Sequence, residues 1–140
     1  PSVTPRTVEA VEGAAGEAEE AMEAEMRLFL LLEVNISGED QKHGVASEED
    51  LGPLLDAVDE CPHLETRGLM GIAPWVGDES RIRRAFAELR EQFDAVASSR
   101  GDRIDTLSMG MSGDFRIAIE EGSTLVRIGT ALFGSRDNGR

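Results

Sequence analysis

Short apolar runs alternate with amphipathic stretches along most of this sequence, and this alternation constrains the fold more than any other feature. Each apolar run is followed by a polar loop and then by apolar residues at helical spacing. The runs are residues 28–36, 66–72, 104–109 and 125–128. Strands that alternate with helices through short loops form parallel sheets with right-handed crossovers. The predicted element order is therefore α-βαβαβαβα.

The first run, Leu28 to Ile36, is continuous and has no helical gap pattern. Such a run is typical of a strand buried on both faces in a parallel sheet. Four βα units make half of an eight-stranded barrel, although an open doubly wound domain has the same order of elements. We favour the half-barrel because two of the four strands carry polar or glycine residues at their C-terminal ends. The predicted class is α/β, half of a TIM-type (β/α)8 barrel with parallel strands.

The first 27 residues differ in composition from the rest of the chain. Thr4-Pro5 is typical of a helix start, and apolar residues recur at helical spacing from Val8 to Met26. The opposite face is nearly all glutamate. We therefore divide the chain into an acidic N-terminal helix, residues 1–27, and a half-barrel domain, residues 28–140.

Charge and composition exclude several classes of partner. The chain has 28 acidic against 14 basic residues, a net charge of −14, and Lys42 is its only lysine. Nucleic-acid binding needs a basic face, and glutamates flank the short basic clusters, such as residues 81–84, so no nucleic-acid partner is expected. One cysteine excludes an internal disulfide, and the two histidines lack metal-ligand spacing, so no metal site is expected. No apolar run is long enough to cross a bilayer and no signal-like segment occurs, so we expect a cytoplasmic protein without a membrane partner.

The stretch from residue 106 to residue 134 is the strongest candidate for a binding site. Two short apolar runs end in small residues there: Ser112 and Gly113 follow one, and Gly129 and Thr130 follow the other. Helix N-termini expose unpaired N–H groups, and glycine lets a ligand approach the backbone. We therefore predict a phosphate-like anion at this edge of the sheet, with Ser112 capping the helix that follows it. A routine helix cap without a ligand is the alternative.

Three further residues are candidates at the ends of the predicted strands. Arg127 interrupts an apolar strand, where a buried charge needs a carboxylate, a ligand atom or a water-filled cavity, and an ion pair inside the barrel is the alternative reading. Asn35 follows the first run, where it either faces a ligand or satisfies loop backbone groups. Met70 is typical of core filling.

Four segments of the sequence together resemble, in the same order, the pyridoxal phosphate homeostasis protein family. The segments are Val34-Asn35-Ile36-Ser37-Gly38-Glu39 with Lys42 and Gly44, then Arg67 to Ile72, then Leu107 to Asp114, then Glu121 to Gly134. The resemblance covers most of the chain from Leu28 onward, and its last two segments are the most specific.

The resemblance implies an alanine-racemase-type barrel that binds pyridoxal 5′-phosphate and takes part in vitamin B6 homeostasis, without established catalytic turnover. It implies that Ser112, Gly129 and Thr130 bind the cofactor phosphate and that Arg127 lies near the pyridine nitrogen. Asn35 and Met70 match residues that line the mouth of the barrel. The residues assigned to the cofactor site are Ser112, Gly113, Arg127, Gly129, Thr130, Asn35 and Met70. No catalytic residue is assigned.

The Schiff-base lysine of the family lies near the end of the first barrel strand, and no segment of that kind occurs here. Lys42 corresponds to a different lysine, in the loop after the fifth strand. The chain is therefore expected to hold the C-terminal half of the barrel, strands 5 to 8, and to bind the phosphate non-covalently. Its expected partners are the small-molecule cofactor and either the missing N-terminal half-barrel or, through an open sheet edge, a second copy.

Two alternatives to this reading are an enzyme and an inactive fragment. The enzyme would be a pyridoxal phosphate-dependent amino-acid racemase or another barrel enzyme acting on a phosphorylated substrate. The absence of tyrosine and of a second β domain argues against a racemase. The fragment would be a half-barrel without an independent function.

Overall fold

The computed structural model describes residues 9–16, 26–39, 43–46 and 48–134 of this 140-residue chain. A helical segment, described over residues 9–16 and labelled α1, precedes four βα units. The strands are β1 (Leu28–Glu33), β2 (Leu64–Met70), β3 (Thr106–Met111) and β4 (Leu125–Arg127). The helices after them are α2 (Glu48–Asp59), α3 (Glu79–Arg100), α4 (Phe115–Glu120) and α5 (Thr130–Phe133). The predicted order of elements is confirmed.

Residues 9–16 of the predicted N-terminal helix are helical in the structure. Its predicted start, Thr4-Pro5, lies outside the described residues, and Met26 and Arg27 are not helical. Apolar side chains of α1, among them Val11, Ala14 and Ala15, are partly buried against the core. The domain boundary at residue 27 stays a prediction.

The four strands form one parallel sheet in the order β1-β2-β3-β4. A doubly wound sheet reverses its strand order at a switch point, whereas a barrel adds strands sequentially. The sequential order therefore fits the predicted half-barrel. The continuous run predicted as a strand up to Ile36 ends as β1 at Glu33, because Val34 forms a parallel bridge to Val45 instead.

Helices α2 and α3 cover one face of the sheet and form the core with it. Phe86 and Leu89 of α3, Val58 of α2 and Leu107 of β3 are completely buried there. Burying a side chain of this size stabilises the fold by about 1.5–3 kcal/mol. The apolar residues of α2 and α3 recur at helical spacing, so each helix presents one such stripe to the sheet.

Charged side chains of neighbouring strands contact one another away from this core. A register shift between β1 and β2 leaves Arg67 unpaired in the ladder, because Leu30 pairs with Thr66 and the next residue pairs with Gly68. The Arg67 guanidinium lies 4.7 Å from the ring centroid of Phe29 and forms an ion pair with Asp105. Phe29 is nevertheless 60% exposed.

Arginine side chains of α3 and of the loop after it connect three helices through carboxylates. Arg83 contacts acidic residues on its own helix and at the C-terminal end of α4, and Arg100 and Arg103 contact acidic residues of α2. Its carboxylate partners raise the pKa of the Arg83 guanidinium. Single exposed ion pairs add little stability, so the effect of these contacts lies in fixing how the helices pack. Among the described residues, no helix combines the length and the apolar character needed to cross a bilayer.

Candidate functional site

The loops that follow β3 and β4 lie side by side at the C-terminal edge of the sheet. Met111 of β3 is paired with Arg127 of β4, so the chain leaves both strands at the same level. The Ser112 hydroxyl accepts a hydrogen bond from the Ala131 N–H in α5, with a distance of 3.0 Å. The structure therefore brings Ser112 next to the segment that contains Gly129 and Thr130, as the sequence predicted.

The prediction that Ser112 caps the helix directly after it is wrong. Helix α4 begins at Phe115, and Asp114 occupies its N-cap position. The chain first makes a turn over residues 111–114, in which the Met111 N–H donates to the Asp114 carboxylate at 2.7 Å and the Asp114 N–H donates to the Met111 carbonyl at 3.1 Å. Ser112 is a central residue of this turn, and its hydroxyl accepts a hydrogen bond from α5 instead of from α4.

Three glycines of the two loops have different roles. Gly110 has a φ of +100°, and a Cβ placed on it would lie 2.7 Å from the Cβ of Ala118, so α4 packs directly on its backbone. A Cβ on Gly113 or on Gly129 would meet nothing within 4 Å. Gly110 is therefore required for packing, whereas Gly113 and Gly129 border open space.

Arg127 reaches from β4 across β3 to the end of β2. Its guanidinium donates a hydrogen bond to the Gly71 carbonyl at 3.0 Å, and its Nε is buried without a hydrogen-bond partner. None of the described carboxylates forms an ion pair with Arg127, so the alternative of a barrel-interior ion pair is not seen in this part of the chain. A buried donor without a partner costs about 1–3 kcal/mol, which a ligand acceptor would offset.

The Asn35 side chain forms three hydrogen bonds within the loop that follows β1. Its side-chain oxygen accepts hydrogen bonds from the N–H and the hydroxyl of Ser37, and its amide group donates to the Glu39 carbonyl at 2.9 Å. Asparagine commonly organises turns in this way. The alternative in which Asn35 satisfies loop groups is therefore seen, and its contact with a ligand stays a prediction.

Two further predictions for the site concern Met70 and Lys42. Met70 is the last residue of β2, is half-buried and is paired with Ser108 of β3. Its contact with a ligand stays a prediction as well. Lys42 lies outside the described residues. Within the part of the chain that the structure describes, no group of three His, Cys, Asp or Glu residues is placed to hold a metal ion.

Ser123 and Thr124 were not identified as structural residues from the sequence, although they hold the strand that carries Arg127. The Ser123 hydroxyl lies 2.7 Å from the Met109 carbonyl, and the Thr124 hydroxyl accepts from the Leu107 N–H at 2.7 Å. The β3–β4 register shifts at this level, so these hydroxyls replace missing ladder hydrogen bonds. Two adjacent hydroxyl residues directly before a very short strand were the available signal.

Comparison with known proteins identifies relatives of the chain. A model of the alanine racemase N-terminal domain matches residues 5–137. The pyridoxal phosphate homeostasis protein of Pseudomonas aeruginosa is 49% identical over 112 residues, covering 80% of this chain and 46% of the relative. The protein of the same name from Vibrio cholerae is 47% identical over 113 residues, covering 81% and 47%. The chain spans about half the length of the curated relatives it matches.

Several solved structures resemble the fold of this chain over most of its length. An unknown protein from Bifidobacterium adolescentis has a TM-score of 0.79 and 38% identity, covering 90% of this chain and 49% of the other. PipY of Synechococcus elongatus without pyridoxal phosphate has a TM-score of 0.77 and 31% identity, covering 89% and 56%. PipY with pyridoxal phosphate bound has a TM-score of 0.69 and 27% identity, covering 95% and 59%.

Proposed function

Because this chain belongs to the alanine racemase N-terminal domain family, we propose that it binds pyridoxal 5′-phosphate and contributes to the homeostasis of that cofactor. The relatives named for this role and the ligand bound to PipY support the proposal. One observation on this chain carries it: the Ser112 hydroxyl joins two loops at the edge of the sheet where Arg127 holds a buried, unpartnered donor.

The phosphate would be held by the loops after β3 and β4. The backbone N–H groups of Gly113 and Gly129 donate no hydrogen bond to the described residues, and both glycines border open space. The Ser112 hydroxyl keeps its own proton to donate to a ligand, because it accepts from Ala131. Thr130 adds a second hydroxyl at the exposed start of α5. These donors fit a phosphate, which offers only acceptor oxygens at neutral pH.

The ring nitrogen of the cofactor would meet Arg127. Bound pyridoxal phosphate supplies an electron sink whose strength depends on protonation of that nitrogen. The guanidinium is always charged and has only donors, so it keeps a facing nitrogen unprotonated. An arginine in this place therefore favours binding of the cofactor without catalysis of a reaction on it. We assign the chain no catalytic residue. Asn35 and Met70 complete the proposed mouth of the site.

The proposal is tested by the fluorescence of Trp75, the only tryptophan of the chain. Trp75 is 98% exposed in the loop after β2, at the same edge of the sheet as the site. Pyridoxal phosphate absorbs in the range of tryptophan emission, so binding quenches the signal. We expect S112A and T130V each to weaken binding about tenfold, because each removes a hydrogen bond to a charged ligand. The matched control is S98A, since the Ser98 hydroxyl bonds only within α3. If S112A and T130V both bind with wild-type affinity, the proposed phosphate site is refuted.

A second measurement tests the non-covalent mode of binding. Borohydride reduction followed by mass spectrometry should leave Lys42 unmodified at cofactor concentrations that saturate the quenching. Stoichiometric labelling of Lys42 would contradict the non-covalent assignment, whereas loss of the cofactor on dialysis agrees with it.

The proposed partner is a complementary half-barrel, supplied by an N-terminal half of the family type or by a second copy. The edge strands β1 and β4 expose Phe29 and Leu125, which are 60% and 46% accessible. Unpaired strand edges with exposed apolar residues pair readily with other chains. Sedimentation of the isolated chain should therefore show self-association. A clean monomer that unfolds cooperatively would contradict this.

We place the division of the chain at residue 27, which limited proteolysis would test. We place the site of action in the cytoplasm, which cell fractionation would test.

A further inference from the structure

Two hydrogen bonds between Met111 and Asp114 close the turn over residues 111–114. The Asp114 N–H donates to the Met111 carbonyl, and the Asp114 carboxylate accepts from the Met111 N–H at 2.7 Å. Ser112 and Gly113 are the two central residues of this turn. Their orientation is therefore set by a ring of backbone and side-chain atoms that begins at Met111 and ends at Asp114.

The side chain of Asp114 does not cap helix α4. It occupies the N-cap position of α4, where an aspartate normally accepts a hydrogen bond from the second or third N–H of the helix. Its side chain makes no such bond to α4 and turns back to Met111 instead. The first turn of α4 has thus lost its usual cap in favour of fixing the preceding turn.

The charge of Asp114 opposes the proposed ligand. Asp114 directly follows Ser112 and Gly113, the two residues of the turn that are assigned to the phosphate. The three residues line a cavity of about 340 Å³ together with Glu79, Glu120 and Arg116, and Gly129 and Thr130 are not part of that lining. A negative charge on the turn that holds a phosphate lowers affinity for it by like-charge repulsion. The hydrogen bond that the carboxylate accepts and the charge that it carries therefore have opposite effects on phosphate binding.

We infer that Asp114 is a positioning residue for the phosphate site, acting through its hydrogen bond to the Met111 N–H and not through its charge. It holds the turn so that the Ser112 hydroxyl meets the Ala131 N–H at 3.0 Å, while the Gly113 N–H donates to none of the described residues. One side chain thereby sets the spacing between the two loops of the site. This inference rests on the proposed binding of pyridoxal phosphate.

The two effects separate in two substitutions. D114N keeps an acceptor oxygen for the Met111 N–H and removes the charge, so we expect phosphate binding about threefold tighter at low salt, with the gain disappearing at high salt. D114A removes both the acceptor and the charge, so we expect binding about tenfold weaker. A merely structural role predicts losses in both variants and no dependence on salt.

The probes are pyridoxine 5′-phosphate and pyridoxine, which lack the aldehyde and so form no adduct with lysine or the N-terminus. Each is titrated into the wild-type chain, D114N and D114A by Trp75 quenching, and circular dichroism checks that each variant is folded. We expect D114A to lose affinity for the phosphorylated probe only, because pyridoxine makes no contact with the turn.

The outcomes distinguish this inference from the function on which it rests. A wild-type chain that binds neither the phosphorylated probe nor pyridoxal phosphate refutes the proposed function. A wild-type chain that binds, with D114N weakened as much as D114A, or with D114A unchanged, overturns the positioning role alone. If D114A does not fold, D114N decides: tighter binding at low salt that disappears at high salt supports the role, and equal or weaker binding overturns it.

Discussion

Replacement of Gly110 by alanine tests the description of the site most directly. Gly110 lies near the end of β3 with a φ of +100°, immediately before the turn that carries Ser112. A methyl group there would lie 2.7 Å from the Cβ of Ala118 and 3.0 Å from the Cα of Phe115. Both contacts involve α4, so the helix would have to move away from the sheet.

The size of the effect follows from two separate costs. An L-residue other than glycine in the left-handed region costs about 1–2 kcal/mol. Forcing a methyl group into a packed contact costs a further 1–3 kcal/mol or so, because neither the Ala118 Cβ nor the helix backbone is the end of a flexible side chain. The expected loss is therefore about 2–5 kcal/mol. A domain of this size has a free energy of unfolding of about 5–15 kcal/mol in total, so G110A should lose a substantial part of it.

Urea unfolding followed by circular dichroism measures this loss. Trp75 is a poor probe of unfolding because it is already exposed in the folded chain. We expect the midpoint to fall while the slope with urea is unchanged, as for a change in stability alone. G113A is the matched control, since a methyl group on Gly113 meets no atom within 4 Å. If G110A unfolds within 0.5 kcal/mol or so of wild type, the close packing of α4 on Gly110 is refuted.

Three further predictions follow from the same structure. T124V keeps the shape of the side chain but leaves the buried Leu107 N–H without its acceptor, so we expect a loss of about 1–3 kcal/mol by urea unfolding; a variant as stable as wild type would show that the hydroxyl does not replace the ladder bond. Arg67 lowers the pKa of the Asp105 carboxyl, so this pair contributes stability that is present above the unfolded-state value of about 3.9 and is lost as the pH falls through the lower folded-state value; D105N should flatten that part of an acid titration, and an unchanged acid profile would exclude the contribution. G129A should leave the urea midpoint unchanged, because nothing lies within 4 Å of the new methyl group, yet weaken phosphate binding by filling space assigned to the ligand; unaltered quenching titrations would count against that assignment.

The sequence allowed the order of elements and the parallel sheet to be predicted because both depend on local periodicity. Alternation of apolar runs and helical spacing is visible within windows of ten to twenty residues. Element ends were less predictable. Helix α4 was expected to start at Ser112 and starts at Phe115, because the Asp114 carboxylate bonds backwards to Met111. Serine and aspartate are both favoured at helix N-caps. The sequence alone does not show which of Ser112 and Asp114 occupies the N-cap position of α4.

The contacts of the candidate site depend on residues far apart in the chain. Ser112 was correctly placed beside the start of α5, but its hydrogen bond to Ala131 spans 19 residues. Arg127 was expected to meet a carboxylate, a ligand atom or a water-filled cavity, and its observed partner is none of these. That partner is the Gly71 carbonyl, 56 residues away, and finding it required the strand order and register. Periodicity carries no information about either contact.

The contact between Arg83 and the acidic residues at the C-terminal end of α4 has a consequence for thermal unfolding. Glu120 and Glu121 are tied to α3 through this one guanidinium, at 2.6 Å and 2.8 Å. The cost of desolvating an ion pair falls as temperature rises, while apolar stabilisation per unit area levels off. The attachment of α4 to α3 should therefore weaken less on warming than the apolar packing around it. Because α4 begins directly after the turn that carries Ser112, that turn should be among the last parts of the sheet edge to loosen in a thermal melt.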